Sequence, residues 1–241
     1  MKSTFKKFVL FFSTLVLLLS SFVLPDFCHA EENIKRTLSY FNGRKYRANF
    51  KLFYFLPINI ATIITESSVQ GNTGIIKLEI KSPFYHRIES CINIKTGKPI
   101  WHKWYMSSVF GKKNVFASYD NDRGLIEHTL NETKKTLKFT SQPYDPLSGM
   151  IFYIASKIKK GKMEEGNLDT DILWYIGKIY HTSLIIKKEK DLFKMELSSD
   201  KSSKGYVYFD ESGRPLGGEG YSIPFIGRAY IYDPEFENKL K

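Results

Sequence analysis

The sequence contains only two cysteines in 241 residues, Cys28 and Cys91. Cys28 lies in an N-terminal segment that we predict to be removed, so the remaining chain has no pair of cysteines for an intramolecular disulfide. Stability therefore has to come from a hydrophobic core, and a chain of this length is long enough to bury one. Cys91 lies in an apolar strand pattern, which is typical of a packed side chain rather than a reactive thiol.

Short motifs that mark common enzyme classes are also missing. The chain has no G-x-S-x-G nucleophile turn, no glycine-rich phosphate loop before a helix, no H-E-x-x-H and no C-x-x-C. The histidines after residue 30 are scattered, and none of their spacings is typical of a metal site. We therefore expect no catalytic residues, no metal and no cofactor, and a hydrolase without a recognisable motif is the third-ranked function.

Residues 1–30 have the three-part layout of a secretory signal peptide. Three lysines within the first seven residues precede an apolar run over residues 8–24, which Pro25 and the small Ala30 follow. We expect cleavage after Ala30 and a periplasmic location for the rest of the chain. The alternative is an uncleaved N-terminal anchor, because the run is almost long enough to span a membrane.

Acidic residues are scarce relative to basic ones, with 25 Asp and Glu against 36 Lys and Arg. Without residues 1–30 these counts fall to 24 and 33, which leaves a net charge of +9. The excess favours an anionic partner, such as a membrane surface or an acidic polymer, and the exported location argues against nucleic acid. Small lysine groups lie in residues 157–162 and 187–190, although an ordinary solvated surface explains them equally.

Beyond residue 44 most of the sequence alternates with the period of two that is typical of strands. Residues 74–82, for example, place Ile76, Leu78 and Ile80 on one face and charged residues on the other. Two similar turns contain Gly97 and Gly213, which we predict to have positive φ. The expected domain plan is a signal peptide at 1–30, a polar N-terminal lead at 31–44, a single β-rich domain at 45–233 and a C-terminal tail at 234–241.

One segment, residues 146–160, has the period of a helix instead. Asp145 is suited to cap its first turn, and Pro146 to its first position, where no backbone N–H is required. Gly161 is suited to the left-handed residue that ends a helix. The apolar side chains form a single stripe, which consists of Leu147, Met150, Ile151, Ile154, Ala155 and Ile158.

These patterns predict a mainly β (α+β) fold, in which a curved antiparallel sheet or half-barrel of about ten strands wraps one amphipathic helix. Two interpretations of the helix remain open. It completes the core, or it is a lid over an apolar cavity. In the second case the ligand contacts are Leu147, Met150, Ile151, Ile154 and Ile158.

The helical segment and the later segment KGYVYFDESGRPLGG resemble a family of exported bacterial proteins catalogued as domain of unknown function 3108. The matching positions are an Asp-x-Leu-Ser helix start and a basic-Pro pair, namely Asp145, Leu147, Ser148, Arg214 and Pro215. The resemblance covers most of residues 45–233, and it departs from the family where GYVYFD replaces a tryptophan. The family has no assigned activity, and its plan is similar to the lipoprotein-carrier (LolA/LolB-like) half-barrel with an apolar hollow.

The leading functional expectation is a non-catalytic periplasmic protein that binds a lipid acyl chain or another apolar small molecule under the helix. A structural or adaptor protein of the cell envelope, which binds a protein or an acidic polymer, is the alternative. Contact of the lysines with a membrane surface is compatible with either function. The sequence leaves the oligomeric state open.

Overall fold

The computed structural model describes residues 27–52, 56–81, 85–108, 111–199, 204–223 and 227–233. The helices are α1 Phe27–Tyr40 and α2 Pro146–Ser156. The strands are β1 Arg44–Leu52, β2 Leu56–Gln70, β3 Thr73–Lys81, β4 Tyr85–Asn93, β5 Pro99–Ser108, β6 Gly111–Asp120, β7 Leu125–Leu130, β8 Thr133–Lys138, β9 Pro143–Tyr144, β10 Ile158–Lys159, β11 Lys162–Met163, β12 Gly166–Leu173, β13 Ile179–Glu189, β14 Leu192–Ser199, β15 Lys204–Phe209, β16 Pro215–Ile223 and β17 Gly227–Tyr232.

Fifteen of these strands form one sheet, in the order β8-β7-β6-β5-β4-β3-β2-β1-β17-β16-β15-β14-β13-β12-β9. Neighbouring strands are antiparallel, except that the short β9 runs parallel to β12. The fold is therefore mainly β with an antiparallel sheet, as the alternating sequence predicts. The sheet has more strands than the ten expected.

The edges of this sheet lie close together, which shows that it is strongly curved. A flat sheet of fifteen strands would be about 67 Å wide at the usual spacing of about 4.8 Å between strands. The edge strands β8 and β9, however, are joined by residues 139–142, and the chain from Lys138 to Pro143 spans at most about 18 Å. The sheet thus curls into an open half-barrel.

The gap between the edges is bridged by the turn after β12. The carbonyl oxygen of Tyr175 lies 3.1 Å from Nε2 of His128 on β7, and Nζ of Lys135 on β8 donates to the carbonyl of Ile176 at 3.0 Å. The ring of Tyr175 packs edge-on against Trp104, with 5.3 Å between the centroids. Side chains therefore connect the two ends of the sheet where no strands pair.

The inner face of the half-barrel contains the core. On β3, Ile76, Leu78 and Ile80 are buried, while the intervening residues are more exposed, which confirms the alternation in the sequence. Among the largest fully buried side chains are Trp104 of β5, Tyr144 of β9, Tyr153 of α2 and Phe209 of β15.

Helix α2 begins at the predicted residue but ends four residues early. Asp145 is its N-cap and Pro146 its first residue, whereas the last helical residue is Ser156. The prediction of a helix to residue 160 was wrong because Ile158–Lys159 pairs with Lys162–Met163 in a small hairpin. Lys160 and Gly161 have φ values of 49° and 79°, so Gly161 is a residue of this tight turn and not the helix terminator.

Helix α1 occupies much of the segment that the sequence predicted to be a polar lead. Ile34 and Leu38 are buried in the core, at a spacing that places them on one face of the helix, and Phe41, which follows the helix, is buried as well. Tyr40 Oη donates to the carbonyl of Ser212 at 2.9 Å, and Ser67 Oγ to that of Leu38 at 2.5 Å. The sequence interpretation missed this helix because few apolar residues mark its buried face.

Helix α1 also extends across Ala30, the last residue of the predicted signal peptide. The apolar run at residues 8–24 and the C-terminal tail at 234–241 lie outside the described residues. Neither of the helices in the described ranges has the length and apolar character needed to cross a membrane.

Candidate ligand-binding cavity

A cavity of about 90 Å³ lies between the start of α2 and the inner face of the sheet around β1. Its walls are mostly apolar. They include Phe41, which follows α1, Leu147 and Met150 of α2, and Val207 and Ile231 of the sheet. Helix α2, the residue after α1 and strands from both halves of the sheet thus border one small, partly open apolar space.

One row of the sheet contributes three residues to the wall of this space. Cross-strand pairing aligns Val207, Gly218 and Ile231 on the neighbouring strands β15, β16 and β17. Gly218 has no side chain to extend into the space. The row continues to Ala48 of β1, so the wall joins strands that are far apart in the sequence.

Two hydroxyl groups in the cavity wall have no hydrogen-bond partner in the described part of the chain. Tyr46 Oη and Thr65 Oγ1 are both buried, and their residues lie on the adjacent strands β1 and β2. Burial, with a further contribution from the Asp233 carboxylate, raises the pKa of Tyr46, so its hydroxyl stays protonated. Both groups are donors left without an acceptor in residues that line the cavity.

The five predicted ligand contacts occupy different environments. Leu147 and the half-buried Met150 line the cavity. Ile151 and Ile154 are completely buried in the core, and Ile158 lies on β10, outside the helix. Two of the five residues are therefore positioned to contact a molecule in the cavity, and the other three support the helix and the adjacent hairpin.

The turns around Gly97 and Gly213 pack against α2. Both glycines have the positive φ that the sequence predicts, 69° and 84°. A Cβ atom on Gly97 would lie 1.6 Å from the ring of Phe152, so this turn approaches the helix closely because it lacks a side chain there. A Cβ atom on Gly213 would lie 3.0 Å from Ile158 and 3.4 Å from Ile154, so the second turn packs beside the end of the helix and β10.

The N-terminus of α2 contains a buried carboxylate. Asp145 accepts hydrogen bonds from the backbone amides of Leu147 and Ser148, both at 3.1 Å, and from Ser148 Oγ at 2.5 Å. Ser90 Oγ on β4 is a further donor to the same carboxylate. The four donors compensate for burial of the carboxylate and connect the helix start to the sheet.

This group of side chains contains Ser, His and Asp but lacks the geometry of a catalytic triad. Both serines donate to Asp145, whereas Nδ1 of His102 lies 3.2 Å from Tyr119 Oη. A serine nucleophile needs a hydrogen bond to its general base, and neither serine makes one. Burial lowers the pKa of His102 and raises that of Tyr119. The arrangement is suited to capping the helix.

The predicted lysine groups lie close to acidic residues. Lys159 is 2.8 Å from Glu164, and Nζ of Lys188 is 3.1 Å from Glu211. The backbone amide of Lys188 also donates to Glu165 at 2.6 Å. These groups are therefore partly neutralised. Within the described ranges, no three His, Cys, Asp or Glu side chains lie close enough together to hold a metal ion.

No family model and no curated protein matches this chain. A crystal structure of a DUF1089 family protein from Pseudomonas aeruginosa is similar over 64% of this chain and 87% of that chain, with 10% identity and a TM-score of 0.39. A likeness this distant carries no argument about function. The resemblance to the DUF3108 family and to the lipoprotein-carrier plan stays a prediction.

Proposed function

We propose that this chain is an exported, non-catalytic protein that binds the end of an acyl chain, or a similar apolar group, between α2 and the curved sheet. One observation carries the proposal, namely the apolar cavity beside Leu147 and Met150. The arrangement of residues 1–30 supports the exported location.

The size of the cavity limits what it holds without rearrangement. A volume of 90 Å³ accommodates about three groups of the size of water or methylene. Burial of three methylene groups contributes about 2.4 kcal/mol, or about 60-fold in affinity. A longer chain requires Met150 to move, and this half-buried, unbranched side chain is adaptable.

The test is direct analysis of the protein after export and purification without detergent. Native mass spectrometry, followed by solvent extraction, is expected to identify an apolar adduct in stoichiometric amount. Added palmitate should bind to protein from which the adduct has been extracted. A clean mass together with no binding of palmitate would contradict the proposal.

A pair of matched variants shows where the ligand binds. Val207→Phe places a phenyl ring in the cavity wall and is expected to lower palmitate affinity at least tenfold. Val69→Phe makes the same change at a valine that is 41% exposed on β2, and it should leave the affinity unchanged. Equal affinities of the two variants would exclude this cavity. Charged replacements of Ile151 or Ile154 are unsuitable, because both side chains are in the core.

A further inference from the structure

A second concave region lies on the outer face of the sheet, away from the helices. It is a groove of about 670 Å³ across β4, β5, β6 and β7, within the size range of ligand-binding sites. Arg87, Lys103 and Asn114 in its wall are exposed, while the next residue of each strand is buried. The groove is therefore separated from the cavity under α2 by the sheet itself.

Aromatic rings line this groove and are open to solvent. Phe116 is 41% exposed, which is unusual for a phenylalanine at the centre of a strand. Tyr85 and Tyr105 are half-buried, and their ring centroids are 5.9 Å apart. Exposed rings on a rigid sheet provide flat apolar surfaces on which the faces of sugar rings stack.

Polar side chains surround the rings, and positive charge is in excess. Arg87 forms an ion pair with Glu89, so these two charges compensate each other. Lys103 has its Nζ 4.9 Å from the Trp101 ring, and it has no carboxylate partner within the described ranges. The cross-strand row that contains Phe116 consists of Lys77, Glu89, Lys103, Phe116, Thr129 and Lys134. Lys103 and Phe116 are therefore adjacent, with Glu89 on the other side of Lys103.

We propose that this outer groove binds an acidic oligosaccharide. Sugar rings stack on Phe116 and Tyr105, Lys103 pairs with a carboxylate of the sugar, and Asn114 donates to hydroxyl groups. The groove crosses three strand spacings, or about 14 Å, which is long enough for a short oligosaccharide. A peptide is a poorer fit, because the groove runs across the strands and offers no free strand edge for backbone pairing.

The experiment uses the purified chain and a matched pair of probes. Binding of tetragalacturonate, and of its methyl ester, is measured by calorimetry at low and at physiological salt. We expect the acid to bind about tenfold or more tightly than the uncharged ester, and the difference to shrink as salt is added. No binding of the acid, or equal binding of the two probes, would overturn the proposal.

Substitutions inside and outside the groove locate the interaction. Phe116→Ala and Lys103→Gln are expected to weaken binding of the acid about tenfold each, while Lys103→Arg should restore most of it. Lys138→Gln removes an exposed lysine from the edge strand β8, outside the groove, and should change little. An equal loss in Lys103→Gln and Lys138→Gln would show attraction to the net charge alone and would overturn the proposal. Val207→Phe should not alter saccharide binding, so this result is independent of the apolar cavity.

Discussion

Asn33 of α1 caps the C-terminal end of α2, because its side-chain amide donates to the carbonyl oxygen of Ile158 at 2.7 Å. The same amide lies 3.1 Å from the carbonyl of Ala155. Ala155 belongs to the last turn of α2, where backbone acceptors lack partners within the helix, and Ile158 follows that turn. A residue from a segment predicted to be a polar lead thus completes the helix that covers the cavity.

Replacement of Asn33 by alanine is expected to destabilise the protein by about 1–2 kcal/mol, since two partly buried hydrogen bonds are lost. Urea unfolding monitored by tryptophan fluorescence measures the change. Asn42→Ala, at an exposed position after α1, is the control and should have little effect. Equal stability of both variants would show that the cap contributes nothing.

Replacement of Asp145 by alanine should be more damaging, at about 2–4 kcal/mol. It removes the N-cap and leaves the buried Ser90 hydroxyl without its acceptor, while Ser148 Oγ keeps only the backbone carbonyl of residue 145, at 3.2 Å. The same urea titration tests this, with Asp122→Ala in an exposed turn as the control. A loss below about 1 kcal/mol would mean that other groups accept these hydrogen bonds.

Buried histidines predict a loss of stability in mild acid. Burial lowers the pKa of His86 to about 4 and that of His128 to about 4, and nearby positive charges contribute at His128. The unfolded chain takes up these protons near pH 6.5, so the free energy of unfolding decreases as the pH falls from about 6.5 toward 4. Each histidine accounts for about 1.5 kcal/mol between pH 6.5 and 5.

Urea unfolding at several pH values between 5 and 7 measures the slope of the free energy of unfolding against pH. His128→Gln should reduce the pH-dependent loss by about 1.5 kcal/mol between pH 6.5 and 5, whereas Asn42→Ala, which removes no titratable group, should not change it. An unchanged slope in His128→Gln would show that His128 takes up its proton at the same pH in the folded and the unfolded protein.

Removal of the Tyr46 hydroxyl should not destabilise the unliganded protein. This buried group has no partner within the described residues, so Tyr46→Phe removes an unsatisfied donor and is expected to be neutral or stabilising by about 1 kcal/mol. If the hydroxyl donates to a bound ligand, the same variant lowers ligand affinity. Destabilisation of the empty protein by more than about 1 kcal/mol would indicate an existing hydrogen bond.

Features of the fold that are set by residues close together in the sequence were predictable. The alternation of Ile76, Leu78 and Ile80 gave the strand and its buried face, and Asp145 with Pro146 gave the start of α2. The end of α2 was not predictable in this way. Ile158 continues the apolar stripe of the helix, but it belongs to the hairpin in which Ile158–Lys159 pairs with Lys162–Met163.

The cavity was harder to predict than the helix beside it. Its wall depends on the pairing that brings Gly218 of β16 beside Ile231 of β17, and β17 beside β1, which carries Tyr46. No local pattern encodes that alignment, since β17 and β1 lie more than 150 residues apart in the chain. Leu147 and Met150 were identified because they face the sheet, whereas Tyr46 and Val207 had no signal in their own segments.

Helix α2 contacts the rest of the protein along its whole length. Ser90 forms a hydrogen bond at its start, the turns at Gly97 and Gly213 pack beside it, and Asn33 forms hydrogen bonds at its end. A helix held in this way has no hinge about which to swing. Exchange of an apolar ligand would then occur on the scale of one side chain, through rotation of Met150, with the backbone stationary. Such a protein would take up and release its cargo without a change of shape that a partner protein could sense.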